Sequence, residues 1–120
     1  FDTFMLEDAS LVVVAFGTAA RIAKGAIKNA RREGLKVGMV RPITLWPFPS
    51  EAIRQLSESK RHFLDIEMNM GQMLEDVKLA VEGSAEVSFY GRTGGVIPTP
   101  SELQRAITRL YYQKGLKVSR

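Results

Sequence analysis

The strongest constraint on the fold is a repeated alternation: short β-branched apolar runs, each followed by a stretch with helical spacing. Leu11-Val12-Val13-Val14-Ala15-Phe16 is continuously apolar. A run of that length reads as a strand covered on both faces. Gly17-Thr18 ends it and opens a helix to about Glu33, where Gly34 supplies a left-handed stop. Ile22, Ala23, Ala26, Ile27 and Ala30 share one face of that helix, and basic residues occupy the other. Strands are expected again at Lys36–Val40, His62–Glu67 and Glu86–Tyr90. Alternation of this kind signals βαβ units around a parallel sheet, an α/β fold.

The connections carry their own signals. Ile43-Thr44-Leu45-Trp46-Pro47-Phe48-Pro49 cannot be helix interior, because proline removes donors and restricts the residue before it. Ser50 is the expected N-cap of a short helix to about Glu58, burying Ala52, Ile53 and Leu56. Asn69, with Gln72 three residues later, is expected to cap a helix through about Glu82, with Met70, Met73, Leu74, Val77 and Val81 facing inward. Thr99-Pro100-Ser101-Glu102 forms a capping box with proline at the first helical position. The helix it opens should bury Leu103, Ala106, Ile107 and Leu110 and close at Gly115, leaving 116–120 as a frayed tail.

At 120 residues the chain has room for one domain and enough buried surface for a core without staples. It contains no cysteine, which excludes a disulfide framework, a thiolate metal site and any iron–sulfur cluster held by these residues. No apolar run approaches a membrane span, and Phe1-Asp2-Thr3-Phe4 lacks the features of a signal peptide. A cytoplasmic setting is expected. A start at Phe1 suits an excised piece of a longer subunit.

Right-handed crossovers would put the outgoing turns of all four strands on one border of the sheet, where open α/β sheets meet ligands or partners. That rim would collect Gly17, Thr18, Arg41, Pro42, Ile43, Thr44, Glu67, Met68, Asn69, Gln72, Gly91, Arg92, Thr93, Gly94 and Gly95. Gly91-Arg92-Thr93-Gly94-Gly95 is the best anion candidate. Its glycines allow backbone N–H groups to converge, and Arg92 offers a bidentate fork; a plain turn with a solvated arginine accounts for it equally. Asn69 and Gln72 serve either as a capping pair or as contacts to a ligand or subunit.

Other chemistries find little support. The turn after the first long strand holds one glycine of the dinucleotide fingerprint, and Val40-Arg41 stands where an acidic residue should hold ribose. The only histidine, His62, has no nucleophile elbow to serve and is expected on the surface or on an edge strand. Asp65 and Glu67 share a strand face, but one histidine and no cysteine leave too few ligands for zinc. The net charge of +4 sits largely on Arg21, Lys24, Lys28, Arg31, Arg32, Lys36 and Arg41. No aromatic residues interleave with them and no nucleic-acid motif appears, so a solvated face or a patch for an acidic neighbour is expected rather than nucleic acid.

Four segments, in order, resemble one family: Val14-Ala-Phe-Gly-Thr-Ala19, Glu33 through Pro49, Glu67-Met-Asn-Met-Gly-Gln-Met73 and Tyr90-Gly-Arg-Thr-Gly-Gly95. They resemble the alpha subunit of 2-oxoacid:ferredoxin oxidoreductases of the 2-oxoglutarate and 2-oxoisovalerate types, over about residues 8 to 113. The resemblance implies the transketolase C-terminal-like domain, a three-layer α/β/α fold. Its mainly parallel five-stranded sheet has an antiparallel edge strand, which Thr3–Leu6 could supply. It also implies a parent enzyme using thiamine diphosphate, Mg2+, iron–sulfur clusters and coenzyme A, with a beta subunit and ferredoxin as partners. The motifs for the thiamine and cluster sites are missing here, so the expected role is that of a supporting domain with no catalytic residue of its own and no metal. Arg92 and Arg41 are candidates for the coenzyme A phosphates on chemical suitability alone. Two alternatives remain: a stand-alone anion- or RNA-binding module, and the C-terminal domain of a transketolase or a pyruvate dehydrogenase beta subunit.

Overall fold

The computed structural model describes residues 1–43, 47–60, 62–68, 73–91 and 97–118. Its strands are β1 Asp2–Phe4, β2 Leu11–Ala15, β3 Val37–Arg41, β4 His62–Glu67 and β5 Glu86–Gly91. Its helices are α1 Thr18–Arg32, α2 Ser50–Leu56, α3 Leu74–Val81 and α4 Pro100–Gln113. The strands form one sheet in the order β1-β3-β2-β4-β5, with only β1 antiparallel. The edge strand ends at Phe4, earlier than expected, because Met5 takes a positive φ of 51° and turns the chain away.

Every residue of β2 is buried, as its unbroken apolar run requires. Alternate residues feed two cores. Leu11, Val13, Met39, Leu64 and Ile66 face α1 and α4, while Val12, Val14, Val40 and Phe63 face α2 and α3. The molecule is therefore three-layered α/β/α. Helix α1 presents Ala19, Ala20, Ala23, Ala26, Ile27 and Ala30 to the sheet, a mostly small-residue face that permits close approach. Gly38 has a different task. A Cβ there would lie 2.5 Å from the Met5 carbonyl oxygen, so only glycine lets the 5–6 turn cross β3.

Four expectations need correction. Ser50 is the first helical residue of α2; Pro49 occupies the cap position, no side chain caps the helix, and of the expected core residues only Ile53 is fully buried. Helix α3 begins at Leu74 with Met73 at its cap, four residues after the expected cap Asn69, which itself lies outside the described residues. His62 starts β4, which lies inside the sheet rather than at its edge, and its Nδ1 is 3.1 Å from Glu86 Oε2. The tail is tied down as far as it is described: Tyr111 Oη donates to the Lys117 carbonyl at 2.6 Å, and Leu116 and Val118 pack against the core. Tyr111 is fully buried in α4, and its hydroxyl also accepts the Lys36 N–H at 3.1 Å. By contrast the Thr99–Glu102 capping box forms as the sequence predicts.

Candidate functional site

Parallel pairing of β2, β3, β4 and β5 carries their carboxyl ends to a common border. The register sets Val14 beside Val40, Ala15 beside Ile66 and Glu67 beside Gly91. Among the expected rim residues, Thr18 is exposed at the start of α1, Arg41 closes β3 and Gly91 closes β5. Thr44, Asn69, Gln72, Arg92, Thr93, Gly94 and Gly95 lie outside the described residues.

Arg41 is not a free cation. Its Nη2 pairs with the Asp2 carboxylate across the β1–β3 ladder, and that hydrogen bond is the main reason the Asp2 carboxyl sits below the usual carboxylate range. Beside the pair lies a recess of about 690 Å3 whose walls include Phe4, Arg21, Lys24, Met39 and Arg41. Lys24 Nζ stands 4.9 Å above the Phe4 ring, a cation–π contact. The basic face of α1 is thus partly spent on the N-terminal segment. Arg31 shows this most clearly: it donates to the carbonyls of Met5 (2.7 Å) and Val37 (2.8 Å) and pairs with Asp8 at 2.6 Å. The bond from Arg31 is the leading cause of the lowered Asp8 carboxyl.

The sharpest electrostatic feature of the border is one that the residue pattern underrated. Glu67, 5% exposed, accepts the Met73 N–H on both carboxylate oxygens, at 2.9 and 3.0 Å. It meets the N–H of the α3 cap residue from a strand end. Two residues earlier on the same face, Asp65 is fully buried, and neither of its oxygens has a well-formed hydrogen bond among the described residues. Burial first, then the neighbouring Glu67 carboxyl, push its carboxyl up to about 9. The signal available in the sequence was a carboxylate at an inward position of a strand covered on both faces.

No group of three or more metal-ligating side chains gathers among the described residues, and the whole chain has no thiolate. These residues do not fit the thiamine–Mg2+ or cluster sites that the resemblance implies for the parent enzyme. Among the described residues no helix is long and apolar enough to cross a membrane.

Residues 9–103 match the family described as pyruvate:ferredoxin oxidoreductase core domain II. The chain belongs to that family. It is 44% identical over 110 residues to the ketoisovalerate oxidoreductase subunit VorB of Methanothermobacter marburgensis, a match covering 92% of this chain and 31% of that protein. It is 40% identical over 101 residues to the 2-oxoglutarate synthase subunit KorA of the same organism, covering 84% of this chain and 27% of that one. The core domain II fold also matches a solved 2-oxoglutarate:ferredoxin oxidoreductase from Magnetococcus marinus with 2-oxoglutarate, coenzyme A and succinyl-CoA bound. There the TM-score is 0.72 and the identity 24%, over 85% of this chain and 18% of that one. The chain thus spans about a third or less of the proteins it resembles.

Proposed function

We propose that this chain is the supporting domain of a thiamine-diphosphate-dependent 2-oxoacid:ferredoxin oxidoreductase, without turnover of its own. The parent reaction would convert a 2-oxoacid, coenzyme A and oxidised ferredoxin to an acyl-CoA, CO2 and reduced ferredoxin. One observation carries the proposal: residues 9–103 match one core domain of this oxidoreductase family, and the relative matched over 92% of the chain is about three times as long. The absence of cysteine from the sequence agrees with it, since electron transfer would then need clusters held by other residues.

In this reading the strand-end border packs against the rest of the alpha subunit and against the beta subunit, in the cytoplasm. Ferredoxin would meet the complete assembly. The complete enzyme should couple 2-oxoacid and coenzyme A to reduction of an electron acceptor, and the chain alone should give none. Turnover by the isolated chain would overturn the proposal.

Arg41 and Arg92 remain the candidates for coenzyme A phosphate. For Arg41 the Asp2 carboxylate occupies the guanidinium that the phosphate would take, so an exchange of partners is required. Arg41→Ala or Arg92→Ala in the complete enzyme should raise the Michaelis constant for coenzyme A about ten- to hundredfold, the worth of one charged hydrogen bond. An unchanged constant with normal assembly would remove that residue from the coenzyme A site.

A further inference from the structure

We propose that Asp65 is a positioning residue: it forms one protonated pair with Glu67, and its neutrality leaves the Glu67 carboxylate free to hold the Met73 amide where the chain enters α3 at the strand-end border. The inference rests on this chain's own residues and not on the enzyme reading, so the two can fail separately.

The geometry leaves few options. Asp65 lies in the interior strand β4, flanked in register by Val14 of β2 and Phe89 of β5. Val12, Ile53, Phe63 and Val77 line the same core. Two carboxylates two residues apart on one strand face point the same way. In an apolar setting a like-charged pair that close keeps one proton.

No described cation relieves the pair. On α2, Arg54 is engaged with Glu51 and Glu58 at the surface. On α3, Glu75, Asp76 and Lys78 are exposed. On β5, Glu86 sits at the far end of the sheet, against His62 and Lys114. The flanking part of β2, Leu11–Ala15, has no titratable side chain.

The two acids are not equivalent, and this decides where the proton resides. Glu67 has a donor: the Met73 N–H reaches both of its oxygens. Asp65 has none among the described residues and lies deeper, so it is the neutral member. Loss of the Asp65 proton would leave both carboxylates charged, and Asp65 would then repel Glu67. The hold on the Met73 amide at the cap of α3 then loosens. The device is a latch that is closed at neutral pH and opens in alkali.

The experiment is a carboxyl NMR titration of the chain, with hydrogen exchange at the Met73 amide followed over the same pH range. Asp65 should remain protonated at pH 7. The Met73 exchange rate, corrected for intrinsic base catalysis, should rise more than about tenfold between pH 7 and pH 10, as expected for sites coupled by more than one pK unit. In Asp65→Asn, which keeps the shape and the neutrality, the corrected rate should stay level. In Glu67→Gln, the midpoint of Asp65 should fall. The wild-type titration needs no variant to fold. An Asp65 ionised at pH 7, an equal alkaline rise in Asp65→Asn, or an unmoved Asp65 midpoint in Glu67→Gln would each overturn the proposal.

Discussion

Asp65 also sets how stability depends on pH. Its carboxyl stands at about 9 in the folded chain against an ordinary 3.8. Between those values the folded state holds a proton that the unfolded state has lost. Stability is therefore fullest at the acid end of the window, falls by at most about 1.4 kcal/mol per pH unit, and levels off above the folded value. Asp2, Asp8 and Glu51 are shifted the other way, so their contributions fade only as pH falls through their lowered values. Denaturant unfolding from pH 5 to pH 9 should show declining stability in the wild type and little slope in Asp65→Asn. Equal slopes would show that Asp65 does not carry the effect. Arg31 matters for a different reason. Its half-buried guanidinium closes the 5–8 turn onto β3, so Arg31→Ala should cost about 1–3 kcal/mol through carbonyls left unpaired. A loss below a few tenths, measured by the same unfolding assay, would demote it to an ordinary surface residue.

At the scale of elements, two helix starts that look alike in sequence differ in the fold. Thr99 accepts the Glu102 N–H at 3.1 Å and Glu102 reaches back to the Thr99 N–H, so Thr99→Ala should destabilise by about 1 kcal/mol. Ser50 lies inside α2 and caps nothing, so Ser50→Ala should fall within about 0.5 kcal/mol of wild type. Comparing their denaturation midpoints tests both. The difference explains what was legible. Strands such as β2 declare themselves because burial on both faces demands an unbroken apolar run, and the Thr99 box is contained within four residues. The start of α3 was not legible, because its donor is met by Glu67 from a strand rather than by a neighbour in the helix. The ordered 116–118 segment was hidden for a similar reason: a single buried hydroxyl, that of Tyr111, gathers Lys36 and Lys117 from distant parts of the chain. The rim followed from topology alone, whereas the acid pair within it depended on burial that a local pattern does not display.

At the scale of the molecule, two helix layers fill both faces of the sheet and leave the carboxyl ends of the four parallel strands on one border. The chain belongs to the core domain II family and spans about a third or less of the oxidoreductase subunits it matches. A supporting role then requires that the border be covered in the complete enzyme. Hydrogen-exchange footprinting of the chain, alone and within the full assembly, measures this directly. Protection on assembly should concentrate at Phe16–Ala19, Arg41–Ile43 and Gly91, leaving the opposite border around Gly34, Ser59 and Gly83 unchanged. Protection confined to that opposite border, with the strand-end turns exchanging as freely as before, would contradict the account.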